Sequence, residues 1–199
     1  MSESERIVIE TGAIGATLVT VGEFARFVRE EKYFDARYWE HGEGPPATGG
    51  DEVLRRIAYR LSWRNEPVQR ITWYEAQAYC RSRGGRLPHV EECRNVRERM
   101  TGAGRDRSLF SKLAFRLARG RRQRSRASDA IPEWCDDWYN ASARRPSATP
   151  GPLPLRAVVG EDISGVIPSH AGAAVGFRLV VSAPERRRSL DHSRRVEER

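Results

Sequence analysis

The sequence predicts an α+β domain with two main helices, short strands and much irregular chain. Two capping boxes mark the helix starts, Thr20-Val-Gly-Glu23 and Thr72-Trp-Tyr-Glu75. In such a box each side chain bonds a backbone N–H group that the first helical turn leaves unpaired. Ile7-Val-Ile9 and Val175–Val181 are rich in β-branched residues, which favours strands.

The order of these elements follows from the breakers between them. Residues 7–19 predict a strand that enters the first helix, residues 21–31. His41 to Asp51 holds two prolines and four glycines, so we expect a loop there. Gly84-Gly85 ends the second helix. Pro88 opens another short helical run with few apolar positions.

Length and composition favour one domain. The 199 residues are 39% hydrophobic and include five Trp, which is enough for a core. We expect the domain over residues 1–184, and a disordered, Arg-rich tail over 185–199. The start is charged and no run approaches the roughly 18 apolar residues of a membrane span. A cytoplasmic protein without membrane attachment is the expectation.

The net charge of +8 is concentrated in one segment, a basic insertion over residues 94–126 with twelve Lys or Arg and two acidic residues. Its densest part contains the candidate contacts for phosphate or an acidic partner, Arg119, Arg121, Arg122, Arg124 and Arg126. Nucleic acid is not the favoured partner, because Phe110 and Phe115 are the segment's only aromatic residues and base stacking needs more. A solvated loop that docks on an acidic protein is the favoured interpretation.

Four segments together resemble the sulfatase-modifying-factor, or formylglycine-generating-enzyme, family. They are Val19–Val28, Pro67–Cys80 with Gly85–Pro88, Glu133–Tyr139 and Val175–Val180. The resemblance spans about residues 17–181. It implies a C-type-lectin-like α+β fold with two main helices, a small twisted antiparallel sheet and high irregular content.

The departures from the family pattern concern its chemistry. Active members have two cysteines shortly before the closing Gly-Phe-Arg, which bind copper and attack a substrate cysteine. Leu155–Val175 contains no cysteine here, so copper is not expected. Calcium is not expected either, since Asp129–Trp134 lacks the Asn of the family's calcium-binding run and calcium needs six to eight oxygens.

The resemblance without its catalytic pair predicts a non-catalytic binding or accessory protein. It would recognise a protein or small ligand through the surface of its C-terminal half. The candidate contacts replace the family's active segment: Arg156, Glu161, Asp162, Ser164 and His170. The alternatives are a metal-dependent oxidoreductase or modifying enzyme of altered chemistry, and an assembly factor that binds an acidic protein or nucleic acid through its Arg-rich segment.

A zinc site is the local alternative for metal binding. His89 and Cys93 are four residues apart on a predicted helical turn, so they share a face. Cys80 and Cys135 would complete a Cys₃His set. The competing interpretation buries the cysteines as small hydrophobic residues.

Aromatic and acidic residues near the family motifs also have two interpretations. The tryptophans Trp63, Trp73, Trp134 and Trp138 would line a ligand pocket or, as we expect, belong to the core. Glu133 and Asp137 would hold a cation or pair with arginines such as Arg178. Pairing is the favoured interpretation.

Overall fold

A computed structural model describes residues 6–9, 12–30, 32–39, 44–45, 49–57, 64–101, 131–139 and 154–182. The helices within these ranges are α1 (Val21–Arg29), α2 (Gly50–Ile57), α3 (Trp73–Ser82) and α4 (Val90–Thr101), with 3₁₀ turns at Lys32–Phe34 and Ala36–Tyr38. The strands are β1 (Arg6–Ile9), β2 (Gly12–Gly15), β3 (Gly85–Arg86), β4 (Glu133–Trp138), β5 (Arg156–Val159), β6 (Ile163–Val166) and β7 (Val180–Ser182). The predicted mixture of helix and strand is confirmed.

Both capping boxes form as the sequence predicts. The Thr20 hydroxyl accepts from the Glu23 N–H at 3.3 Å, and the Glu23 carboxylate accepts from the Thr20 N–H at 2.8 Å. The corresponding distances at Thr72 and Glu75 are 3.1 and 2.7 Å. These bonds satisfy N–H groups at the starts of α1 and α3, so both helices begin where the sequence signal places them.

The strands form two antiparallel sheets. One has the order β1-β2-β7-β3 and the other the order β4-β5-β6. All four residues of β5 are buried, because it is the middle strand of its sheet and is covered on both faces. Val158 faces the main core, whereas Ala157 and Val159 pack against Cys93 on α4. Helix α4 is therefore held on the outer face of the second sheet.

The elements differ from the predicted ones in extent. Strands β1 and β2 pair as an antiparallel hairpin where one strand was predicted, with Gly12 at φ 151°, where glycine is favoured. Helix α2 was not predicted, and it begins at Gly50, near the end of the predicted loop. The helical run predicted after Pro88 is present as α4, which continues through residues 94–101 of the segment assigned to the basic insertion. Its apolar side is stronger than the sequence suggested, because Cys93 and Val96 are both fully buried there.

The main core is aromatic. The rings of Phe24, Phe27, Tyr79 and Phe177 contact one another at centroid distances of 5.4 to 6.2 Å. The prediction that tryptophans belong to the core is confirmed for Trp73 and Trp134, which are fully buried. Trp138 is half-buried, and Trp63 lies outside the described residues.

The close approach of β3 to β7 requires a glycine at position 85. A Cβ atom there would lie 2.3 Å from the Val180 carbonyl oxygen and 2.6 Å from Leu179 Cδ1. We expect Gly85→Ala to lower the free energy of unfolding by about 1–3 kcal/mol, because backbone must shift. Urea denaturation measures this. Gly160→Ala is the control, since its nearest contacts are an ordinary 3.7 Å. Equal losses in the two variants would contradict the close approach.

Candidate functional site

A cleft of about 360 Å³ lies between α4 and the turn that joins β5 to β6. The turn contributes Glu161 and Asp162, which are exposed. The Gly160 N–H donates to the Asp162 carbonyl at 2.9 Å and fixes the turn. The full lining is Glu91, Arg94, Asn95, Arg97, Glu98, Val159, Gly160, Glu161, Asp162 and Ile163. Two segments distant in sequence therefore build one concave surface.

The cleft is acidic on balance, since its lining has four carboxylates and two guanidinium groups. Both guanidinium groups have carboxylate partners. Arg94 Nη1 lies 3.5 Å from Glu91 Oε1, and Arg97 Nη1 lies 2.8 Å from Glu133 Oε1. Glu133 is buried behind the cleft and is not part of its lining. This distribution of charge favours a positively charged group in the cleft.

The five predicted ligand contacts separate into two groups. Glu161 and Asp162 line the cleft, whereas Arg156, Ser164 and His170 are not among its lining residues. Ser164 is exposed on the edge strand β6. His170 is also exposed. Its backbone N–H donates to the Ile167 carbonyl at 2.9 Å within a turn.

Arg156 occupies a different environment from the one a ligand contact needs. Only 5% of the residue is exposed. Its guanidinium carbon lies 3.6 Å from the centre of the Trp73 ring and 3.8 Å from that of Trp138. Nη1 donates to the Asp136 carbonyl at 2.7 Å. The side chain is packed between two indoles, where the cation interacts with their π faces and joins β5 to the core.

The helical half of the cleft was missed by the sequence interpretation. One face of α4 holds four polar residues, because Arg94, Asn95 and Glu98 follow Glu91 by three, four and seven positions. This polar spacing was visible in the sequence. It was overlooked because residues from 94 onward were assigned to a basic insertion.

The four residues of the predicted zinc set do not assemble. Cys93 and Cys135 lie together, with their Sγ atoms 3.4 Å apart. Cys80 instead donates to the Arg178 carbonyl at 3.9 Å, and His89 Nδ1 faces Asp137 Oδ2 at 3.3 Å. Across the described ranges, no three His, Cys, Asp or Glu side chains are grouped so as to hold a metal ion.

The predicted pairing of Glu133 with Arg178 is present. Arg178 Nε donates to Glu133 Oε2 at 2.7 Å, and both residues are fully buried. Arg97 donates to the second carboxylate oxygen of Glu133. Asp137 instead stabilises the start of α4, where its carboxylate accepts a hydrogen bond from the Val90 N–H at 2.8 Å.

The oxygens of residues 131–133 are also bonded within the protein. The Ile131 carbonyl accepts from Arg97 at 3.0 Å, and the Pro132 carbonyl accepts from the Gly176 N–H at 2.8 Å. The Glu133 carboxylate is held by two arginines. These oxygens therefore do not fit the calcium role that the resemblance gives to this run, since calcium binds through several oxygens at once.

Two buried thiols and a buried phenol have raised pKa values in the folded protein. Burial raises the pKa of the Cys80 thiol well above its usual value. A hydrogen bond shared with Cys135, together with burial, raises the pKa of the Cys93 thiol as well. Burial raises the pKa of Tyr79 to about 12. The cause is the cost of placing an anion in an apolar core.

These shifts predict that the protein loses stability in alkaline solution. All three folded pKa values lie above the unfolded values of about 9 for thiols and about 10 for tyrosine. The unfolded chain therefore loses protons first, so the stabilisation is complete below about pH 9 and is lost as the pH rises toward 12. Urea midpoints measured between about pH 8 and pH 11 should fall steadily. A midpoint that stays constant over that range would contradict the prediction.

Other predicted features lie outside the described part of the chain. These are the Arg-rich contacts Arg119, Arg121, Arg122, Arg124 and Arg126, and the tail over 185–199. Among the helices that are described, none combines the length and the apolar character that crossing a membrane requires.

Comparison with known families gives one finding. A model described as the sulfatase-modifying factor enzyme 1-like domain matches residues 3–114, which is more than half of the chain. The matched range includes the described elements from β1 to α4 and ends before β4. A search of the curated proteins finds no match.

Proposed function

The chain belongs to the sulfatase-modifying factor enzyme 1-like family, and from that we propose that it is a non-catalytic binding member with a C-type-lectin-like fold. Its ligand-binding site is the cleft between α4 and the β5–β6 turn. The ligand is a protein or small molecule that presents a positively charged group.

The burial of every thiol carries the non-catalytic part of this proposal. The chain has three cysteines, and Cys80, Cys93 and Cys135 are each fully buried. Attack on the cysteine of a protein substrate needs a thiolate that the substrate can reach, and burial excludes a substrate of that size and disfavours the thiolate. Leu155–Val175, where the resemblance implies a copper-binding pair, contains no thiol at all. The residues present there do not fit that copper site.

The cleft supports the binding part of the proposal by its position and charge. Glu161 and Asp162 are exposed on a tight turn, and α4 holds Glu91 and Glu98 opposite them. Helix α4 packs on the second sheet through the apolar cluster around Cys93, which positions one wall of the cleft against the other. Carboxylates on two facing walls suit a guanidinium or ammonium group, which can bond to both.

The test is a titration of isotope-labelled protein with acetyl-arginine amide. NMR records the chemical shifts of the backbone amides at each addition. Acetyl-citrulline amide is the neutral probe of the same shape. We expect arginine to shift the amides of residues 91–98 and 160–163, and citrulline to leave them unchanged. The physical reason is that citrulline lacks the charge that the carboxylates recognise.

Two double variants with the same change in charge locate the effect. Glu161→Gln with Asp162→Asn removes the acidic turn, and we expect it to weaken arginine binding by roughly tenfold. Asp51→Asn with Glu66→Gln neutralises two acidic residues outside the cleft lining and should leave binding unchanged. Equal responses to arginine and citrulline, or equal weakening by both variants, would refute the cleft as the binding site.

A further inference from the structure

Two thiols that are distant in sequence lie in contact beneath α4. Cys93 is on α4 and Cys135 is on β4, and 42 positions separate them along the chain. Their Sγ atoms are 3.4 Å apart, and both residues are fully buried. The proposed binding role rests on the burial of these thiols, and their contact with each other is a separate observation.

We propose that Cys93 and Cys135 form a reversible disulfide that fastens α4 to β4 under oxidising conditions. A disulfide has a sulfur–sulfur distance of about 2.05 Å, so closing it needs an approach of little more than 1 Å. Rotations of two cysteine side chains on neighbouring elements cover that distance. The third cysteine does not compete, because Cys80 contacts the Arg178 carbonyl instead.

A carboxylate lies beside the two thiols. The Cys135 thiol donates to Cys93 Sγ, and the Cys93 thiol points to Glu133 Oε2 at 4.0 Å. Arg178 is bonded to that carboxylate. The Cys93 thiolate is a minor form, because its pKa is raised by the hydrogen bond with Cys135 and by burial. When it forms, the Glu133 carboxylate and the Arg178 guanidinium lie on one side of it, and Ala157 and Val159 line the rest of the cluster.

Hydrogen peroxide is the oxidant of this step, because it is a small neutral molecule that a local opening of α4 from β4 would admit to the buried pair. The Cys93 thiolate attacks one oxygen of hydrogen peroxide, the O–O bond breaks, and a sulfenic acid and one water result after proton transfer. The Cys135 sulfur then attacks the sulfenic sulfur. The S–S bond forms, the S–O bond breaks, and a second water leaves. Two thiols and one peroxide thus give one disulfide and two waters.

The bridge would also change the connectivity of the chain. It closes a covalent loop from Cys93 to Cys135, which includes the Arg-rich sequence from Arg94 to Arg126. A cross-link over a loop of this length restricts the unfolded chain and stabilises the folded one. We expect the midpoint of thermal unfolding to rise by roughly 5–10 °C on oxidation.

The experiment treats the full-length protein with hydrogen peroxide, denatures it, labels free thiols with N-ethylmaleimide and maps the labels by mass spectrometry. We expect one label, on Cys80, and a peptide pair joined through Cys93 and Cys135. Dithiothreitol should restore labelling at all three positions. Cys80→Ala is the control variant and should form the same bridge, whereas Cys135→Ala should form none.

Mapping of the unmodified chain decides the question even if a variant fails to fold. Full labelling of Cys93 and Cys135 after peroxide treatment would overturn the proposal. So would a bridge to Cys80, a bridge between two chains, or a bridge that lowers the unfolding midpoint. Because the readout uses no ligand, its failure would leave the proposed function of the cleft untouched.

Discussion

Replacing Glu133 by Gln is expected to lower the free energy of unfolding by about 3–5 kcal/mol, because it leaves a buried positive charge without its counter-charge. Arg178 is fully buried and bonds both oxygens of the Glu133 carboxylate, at 2.7 and 3.1 Å. Its Nη1 also donates to the Gly15 and Ala16 carbonyls. The pair therefore joins β4 to the chain that follows β2.

Urea denaturation of Glu133→Gln and of a matched variant measures this effect. Glu161→Gln makes the same chemical change at an exposed position, and we expect less than about 0.5 kcal/mol there. A glutamine at 133 retains the shape of glutamate, so the comparison isolates the charge. A loss below about 1 kcal/mol in Glu133→Gln would show that Arg178 does not depend on this carboxylate.

Replacing Trp73 by Ala is expected to cost about 3–5 kcal/mol of unfolding free energy. The indole is fully buried, covers one side of the Arg156 guanidinium, and donates its N–H to the Cys135 carbonyl at 2.9 Å. The substitution leaves a cavity and an unpaired carbonyl, and it removes one face of the cation–π stack.

Trp138→Ala is the matched control for that substitution. Trp138 covers the opposite side of Arg156 but is only half-buried, so its removal should cost clearly less. Both variants are compared by chemical denaturation monitored by circular dichroism. Equal losses would contradict the placement of Trp73 in the core and of Trp138 at its margin.

Local rules account for the parts of the fold that the sequence predicted correctly. A capping box acts within four residues, so Thr20 and Thr72 mark helix starts whatever surrounds them. The pairing of Glu133 with an arginine such as Arg178 was the favoured interpretation of the sequence, and the structure contains it, although it joins residues far apart in the chain.

The cleft and the arginine stack required information that no short segment contains. The cleft joins Glu91 to Glu161, and their proximity depends on how α4 packs on the second sheet. The sequence around Arg156 does not distinguish it from a surface arginine, and only the folded structure shows that it lies between Trp73 and Trp138. Burial of long cationic side chains against aromatic rings is decided by tertiary packing, which composition and spacing do not reveal.

The burial of all three thiols leads to a direct test of the non-catalytic proposal. The protein is incubated in air with copper, a reductant and a cysteine-containing peptide, and the peptide mass is followed over time. We predict no conversion of the peptide thiol beyond that seen without protein, because no cysteine of this chain reaches solvent. Oxidation of the peptide thiol to an aldehyde that is lost when Cys80, Cys93 or Cys135 is replaced by Ala would contradict this account.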